Sequence, residues 1–330
     1  MWPPAIWATT PGCPYNFCCH LAQPFAWRRS SPRRNQKKDG MEELNGQAGR
    51  EKFPVGIIGG TGGIGRWFAR FFSDGGYPVL VSGRREGPDL PEMAGKCPVV
   101  IVSVPIGVTC EVIRKVGPHM KADSLLMDLT SLKEEPVRAM LEASVSEVLG
   151  LHPLFGPGEP SMAGQNIVLC PGRGNQWLSW IRELFKKNGA CLVEATPERH
   201  DEIMAFVQAG NHLHTILLGL ILREAGLEPA ILERFSTPAL RAKMGLIQKV
   251  FSHPTLYAEI ITGNPGIGRV ASLFEGKIVE LMLATEKISA GELMKLMEKI
   301  PAGLWAPAGE AKGIKSSRLE GARETALSRK

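Results

Sequence analysis

From residue 55 onward, apolar residues come in short unbroken runs separated by glycine-containing polar stretches. The runs at 55–59, 77–82, 99–104 and 124–129 are too short for helices, and apolar at successive positions, as strands buried on both faces are. Between them, 64–74, 108–116 and 134–143 carry apolar residues at helical spacing, and the stretch before 99 has room for one more helix. Runs at 145–151, 166–170 and 190–193 add strands, and 177–187 adds a helix. This alternation predicts an α/β fold with a Rossmann-like, doubly wound, mostly parallel sheet. After Thr196 the alternation stops. Residues 197–225 read as one long helix, with Thr196 as its cap, Pro197 at its first position and Gly226 placed to end it. Helices at 231–235, 239–251, 255–261, 270–284 and 290–299 follow. The pattern thus divides the chain into a sheet domain at 51–195 and an all-helical C-terminal domain at 196–330.

The two ends fit neither period. Residues 1–50 are rich in Pro, Trp and Arg and read as a disordered leader. Pro3, Pro4, Pro11 and Pro14 interrupt the apolar core that a secretory signal needs. Met41 opens a more ordinary stretch and is taken as the native start, with 1–40 an over-long reading. Residues 307–330 are polar and loosely held.

The net charge of +6 points to nucleic acid until its distribution is examined. Residues 1–40 carry +5 of it, which leaves the other 290 residues at +1. A nucleic-acid binder carries its basic face on the folded domain, so that class is excluded. The longest apolar stretch, 216–222, is too short to span a bilayer, so no membrane partner is expected. The seven cysteines include no C-x-x-C pair. Free thiols in a reducing, cytoplasmic setting fit best. Cys13, Cys18, Cys19 and His20 match no standard zinc spacing, and no metal is expected.

Gly60-Thr61-Gly62-Gly63-Ile64-Gly65 fits G-x-G-x-x-G directly between a predicted strand and a predicted helix. That context turns a weak pattern into a dinucleotide site. Gly60 is expected to make the tight turn, Gly62 to let the backbone approach a pyrophosphate, and Gly65 to pack the helix on the strand. The helix N-terminus then offers free N–H groups to the phosphates. The second strand ends in Ser82-Gly83-Arg84-Arg85, where an NAD site usually has Asp or Glu. Two guanidinium groups suit a 2′-phosphate, so NADP is preferred, with NAD possible.

Three further segments fall at the C-terminal ends of strands, where a doubly wound sheet binds its ligand. They are Ser103-Val104-Pro105, Asp128 to Lys133 including Ser131, and His152-Pro153-Leu154-Phe155-Gly156-Pro157. His152 is expected in a loop beside Gly and Pro and is read as functional, not as a core histidine. On the long helix, Asp201, Ala205, Gln208 and His212 are spaced i, i+4, i+7, i+11 and form a narrow stripe among apolar neighbours.

With these pieces in order, residues 53–262 resemble the prephenate dehydrogenase family, most closely its archaeal single-function members. The resemblance rests on the glycine loop with Arg66-Trp67-Phe68-Ala69, Ser103 to Ile106, Asp128 to Lys133, the His152 to Pro157 segment, His200-Asp201 with Gln208 and His212, and Leu256-Tyr257-Ala258-Glu259-Ile260. It implies oxidative decarboxylation of prephenate to 4-hydroxyphenylpyruvate in tyrosine biosynthesis. His152 would accept a hydrogen bond from the ring hydroxyl. Ser131 would contact the same hydroxyl, Gln208 and His212 would help bind substrate, and the helical domain would pair two copies into a homodimer. One departure concerns the substrate carboxylate: the family commonly has an Arg before the Tyr-Ala-Asp/Glu-Ile segment, and here Lys249 falls at or beside that position. Lysine supplies charge without a bidentate fork, which leaves the choice between prephenate and arogenate open. A deazaflavin-dependent NADP reductase would share the glycine loop and the basic strand end, but explains neither the helical domain nor His152. An NADP-sensing regulator would predict a degenerate site, whereas Ser131, His152 and His212 are all present.

Overall fold

A computed structural model describes residues 52–84, 87–286 and 290–300. The expectations for residues 1–50, including Met41 and the Cys13, Cys18, Cys19 and His20 group, for Arg85, and for 307–330 lie outside the described residues. The described residues fall into two compact units, one ending at Phe274 and the other beginning at Glu275.

Seven strands form one sheet in the order β2-β1-β3-β4-β5-β6-β7. They are β1 (Val55–Ile58), β2 (Val79–Ser82), β3 (Val99–Val102), β4 (Leu125–Asp128), β5 (Glu147–Pro153), β6 (Asn166–Arg173) and β7 (Cys191–Glu194). All neighbouring strands pair parallel except β5 and β6, which pair antiparallel. The connecting helices are α1 (Gly63–Asp74), α2 (Leu90–Lys96), α3 (Ile106–Val116), α4 (Glu134–Ala143) and α5 (Gln176–Lys187).

The apolar runs are continuous because both sheet faces are covered. Alternate residues of one strand enter different cores. Val55, Ile57, Val99, Ile101, Leu125 and Met127 pack with Phe68 and Phe72 of α1 and Phe185 of α5. Ile58, Val100, Val102 and Leu126 pack with Met93 of α2, Ile113 of α3 and Met140 of α4. Each fully buried side chain of this kind contributes roughly 1.5–3 kcal/mol. The α/β expectation of a doubly wound sheet followed by helices is what the chain adopts.

Two boundaries differ in a way that matters. The predicted strand 145–151 starts later and runs on to Pro153, because His152 and Pro153 pair with Val168 and Ile167 of β6. β6 in turn extends to Arg173, opposite Val148. His152 is therefore a strand residue and not a loop residue.

The helical region follows β7. It comprises α6 (Pro197–Met204), one wide π turn (Ala205–Gly210), α7 (Asn211–Glu224), α8 (Pro229–Phe235), α9 (Pro238–Phe251), α10 (Pro254–Thr262), α11 (Ile267–Glu286) and α12 (Ala290–Glu298). Thr196 caps α6 by accepting from Arg199 N–H, and Thr237 caps α9 in the same way. The single helix predicted over 197–225 is thus a continuous helical path with a π turn inside it. Taken as one, Pro197–Glu224 is 28 residues long and contains an 18-residue window of mean hydropathy 1.3, enough to cross a membrane by length and composition only. The wide turn lies where Gly210 meets Val270, which a Cβ would approach to 3.1 Å. Within the second unit, Glu280 on α11 takes Lys277 at 2.5 Å and Lys299, just past α12, at 3.1 Å.

Candidate active site

The chain leaves β1 for β2 on one side of the sheet and returns to β3 on the other. A crevice opens at such a switch point, at the carboxyl ends of the strands. The ends of β2, β1 and β3 are pinned there by backbone bonds: Gly59 N–H to Ser82 O at 2.6 Å, and Ser103 N–H to Ile58 O at 2.8 Å. The left-handed residue of the turn is Gly59, with φ +81°, and not Gly60 as the motif suggested. A Cβ on Gly59 would lie 2.1 Å from Ser103 O, so the loop lies directly on the end of β3. Gly65 has its expected packing role, since a Cβ there would be 2.4 Å from Gly59 O.

α1 starts without a side-chain cap and without an acidic residue in its first turn. Its free N–H groups and positive dipole end face the glycine loop, where an anion is favoured. Ser103 Oγ, at the end of β3, is buried without a partner. An uncapped helix start, close-packed glycines and an orphan hydroxyl fit a bound dinucleotide. Thr61, Gly63 and Ile64 belong to this turn and helix start, with Arg66 held on Thr61 O at 2.7 Å. Val104 and Pro105 continue from Ser103 into α3. Ser82 closes the crevice from β2, and Arg84 beyond it is exposed.

The segment after His152 folds back over this loop. A Cβ on Gly63 would sit 3.1 Å from Pro157 Cγ, and Phe155 packs edge-on to Trp67 with ring centres 5.0 Å apart. The chemical and cofactor segments are thus in contact.

Behind the crevice lies a buried ionic cluster. Lys133 and Asp128 have no exposed side-chain surface, and the Lys133 ammonium is bound to Asp128 Oδ2. It also donates to Leu151 O at 3.1 Å, and Thr130 N–H donates to Asp128 Oδ2 at 2.9 Å. Gly150 makes room for the lysine stem, since a Cβ there would be 3.0 Å from Lys133 Cδ. The cluster fixes the loop that carries Ser131 against the strand that carries His152.

His152 is only 3% exposed, which corrects the expectation of a loop residue outside the core. Its Nδ1 lies 2.9 Å from His200 Nε2, and His200 Nδ1 lies 2.7 Å from Asp201 Oδ1. Asp201 also accepts from the backbone N–H groups of Lys133 and Glu134, each at 2.9 Å. Burial first, then the nearby His200 and the Lys133 ammonium, hold the His152 pKa well below the usual imidazole value.

Ser131 is half-buried and receives Gln208 Nε2 at 3.4 Å, while Gln208 Oε1 is buried without a partner. His212 packs edge-on to Tyr257 with ring centres 4.6 Å apart. Burial, and secondarily the Lys249 charge, lower its pKa. Lys249 reaches back towards the His152 segment, its Nζ 3.9 Å from where a Gly156 Cβ would lie. The expected stripe is therefore split by the π turn: Asp201 serves the start of α4, Gln208 meets Ser131, and His212 meets Tyr257. The roles of His200, Lys133, Asp128, Gly59 and Tyr257 escaped the sequence reading. The adjacent His200-Asp201 pair and the Asp-x₄-Lys spacing at a strand end were the available signals. A separate cavity of about 590 Å³ lies between α1, α5 and the loop at 157–162, away from these groups.

Two family models match this chain. Residues 85–194 match "Prephenate dehydrogenase, nucleotide-binding domain", and residues 196–299 match "Prephenate dehydrogenase, dimerization domain". A probable arogenate/prephenate dehydrogenase of Methanocaldococcus jannaschii is 35% identical over 266 residues, covering 74% of this chain and 59% of that protein. A 4-amino-4-deoxyprephenate dehydrogenase of Streptomyces pristinaespiralis is 28% identical over 255 residues, covering 70% of this chain and 84% of that protein. The chain thus spans 59% of the length of its archaeal relative. Among solved structures, prephenate dehydrogenase of A. aeolicus with hydroxyphenyl propionate and NAD+ superposes with TM-score 0.57 at 16% identity, covering 77% of this chain and 97% of that one. At that identity the likeness speaks for the fold.

The buried cluster generates a stability prediction. Lys133→Met leaves Asp128 buried without its cation and should cost about 3–5 kcal/mol in urea unfolding. Adding Asp128→Asn should recover much of the loss. A single-variant cost below about 1 kcal/mol would show that the pair does not anchor this loop.

Proposed function

The chain belongs to the prephenate dehydrogenase family, and from that premise we propose that it oxidatively decarboxylates prephenate to 4-hydroxyphenylpyruvate, with NADP as the preferred hydride acceptor. The observation that carries this reading is His152, buried and held neutral at the end of β5, beside the Ser131 loop and in contact through its own segment with the glycine loop. A neutral imidazole is a hydrogen-bond acceptor, which is what a carbinol losing hydride requires.

The bound nicotinamide supplies the hydride acceptor. His152 accepts the hydrogen bond of the ring hydroxyl, takes up its proton as the C–O bond gains double-bond character, and returns it to the oxygen once the ring is aromatic. The hydride leaves the carbinol carbon, the ring–carboxylate bond breaks with loss of carbon dioxide, and its electrons complete the aromatic ring. Ser131, steadied by Gln208, orients the same hydroxyl. Lys249 and His212 take the remaining carboxylate end, and Arg84 with Arg85 takes the 2′-phosphate. Much of the protein's work is to hold donor and acceptor in register. Cys97, Cys110 and Cys170 form no disulfide among the described residues, which suits a reducing, cytoplasmic compartment.

The helical part is proposed to pair with a second copy. It exposes Val207 (58%), Ile221 (54%), Leu246 (55%) and Phe235 (84%), apolar side chains that a second copy would cover. A helical face of this kind accounts for the apolar Pro197–Glu224 path without a membrane.

Four outcomes are expected. Prephenate should drive reduction of NADP faster than of NAD, and faster than arogenate does; no turnover with either substrate, in folded protein that binds the cofactor, sinks the reading. His152→Asn should lower kcat by about 10²–10⁴, and a loss under tenfold would demote it. Because acceptance requires the neutral ring and its pKa lies below the ordinary 6.5, kcat should hold as pH falls through 6.5 and drop only beneath it. An acidic limb centred above 6.5 would contradict that. Light scattering should give the mass of two chains, and a stable monomer refutes the pairing.

A further inference from the structure

His152 has two ring nitrogens, and an acceptor role needs the lone pair on the one that meets substrate. Nδ1 is engaged with His200, which leaves Nε2 for the ring hydroxyl. Which nitrogen bears the proton is decided further along the chain of bonds, and we infer that His200 and Asp201 form a positioning pair that places the proton of neutral His152 on Nδ1. This rests on the proposed acceptor role of His152 and adds the groups that select its tautomer.

The assignment follows from donor and acceptor counting. An ionised carboxylate only accepts, so His200 Nδ1 must carry a hydrogen towards Asp201 Oδ1. His200 is 1% exposed, and the Asp201 charge is already met by two backbone N–H groups at the start of α4. Donation from His200 to His152 Nδ1 would force the His152 proton onto Nε2 and abolish the acceptor, so His200 Nε2 accepts. The 2.9 Å contact then needs a donor on His152, which can only be Nδ1–H. The Nε2 lone pair is what remains.

Asp201 has a second hold on the site. The N–H groups that it accepts from belong to Lys133 and Glu134, directly after Ser131 and Leu132. One carboxylate thus sets the tautomer of His152 and the position of the Ser131 loop. Asn264 locks it in place by donating to the Asp201 carbonyl at 2.9 Å.

Asp201→Asn puts an NH2 group among donors. In the orientation that keeps the amide oxygen on Glu134 N–H, the NH2 faces His200, whose ring must then accept at Nδ1; this makes His200 Nε2 a donor and drives the His152 proton to Nε2. The full-length chain labelled with ¹⁵N-histidine, free of substrate and cofactor at neutral pH, should show His152 as the Nδ1–H tautomer, its resonances identified by their loss in His152→Asn. Free imidazoles favour the opposite tautomer, so a merely structural contact would not produce this signature. Asp201→Asn should shift His152 to Nε2–H and lower kcat by about 10²–10⁴ with KM changed by less than about threefold. An Nε2–H tautomer in the parent chain, a charged His200, or an Asp201→Asn kcat within tenfold of the parent overturns the inference. If Asp201→Asn does not fold, the parent spectrum still decides. Absence of turnover on either substrate would remove the proposed reaction and leave the tautomer result standing, so the two can fail separately.

Discussion

The carboxylate of Asp201 is the point on which the site's geometry turns. It lies on the first helix after the sheet, yet it accepts from two backbone N–H groups at the start of α4 as well as from the ring of its neighbour His200. Hydrogen bonds to an ionised acceptor are about twice as strong as neutral ones, and these are shielded from water. The free N–H groups of a helix start also favour a negative charge. The helix that opens the C-terminal region is thereby docked onto the Ser131 loop.

Behind that contact, burial does two opposed things with charge. Lys133 and Asp128 remain a pair because each supplies what the other lost on leaving water, and removal of either would strand the other. His152, with no carboxylate of its own, is pushed the other way and stays neutral. The same low-dielectric pocket therefore holds a fixed ion pair and a neutral imidazole a few residues apart. The pair stiffens the walls, and the imidazole stays available as an acceptor. Cys170, next to this cluster, follows the same rule: burial pushes its thiol up to about 12, so it remains an inert packing group.

Much of the sheet was legible in the sequence because strands covered on both faces leave a distinctive mark, unbroken apolar runs of four to six residues. The glycine loop was legible for the same local reason, since turn chemistry and close packing depend on neighbours in sequence. What stayed hidden depends on distant partners. The extension of β5 to Pro153 comes from antiparallel pairing with β6, and it changed His152 from a loop residue into a buried one. The contact of His200 with His152 spans 48 positions, and that of Asp201 with Lys133 spans 68. No periodicity reports such pairs. The π turn broke a stripe that an ideal helix would keep aligned, because one wide turn shifts the later residues around the axis. The exposed apolar residues of α7, α8 and α9 also read from sequence as ordinary helix positions, and only the fold shows that they lack cover.

The two ends of the proposed substrate meet differently built surroundings. In the proposed reaction the hydroxyl end would face groups locked by strands, a buried ion pair and a shared carboxylate. The carboxylate end would face Lys249 and His212, on helices with much of their surface exposed, and the lysine's reach to Gly156 is set by a flexible four-carbon stem. A single ammonium attracts a carboxylate without fixing its plane, whereas a guanidinium would impose one. Discrimination between cyclohexadienyl substrates that share the ring alcohol and differ in the side chain must come from this second end, since the first end contacts the same hydroxyl in each. The chemistry can thus be preserved by a rigid core while specificity is set on α7, α9 and α10. This division suits a family whose named members act on prephenate, arogenate and an amino analogue.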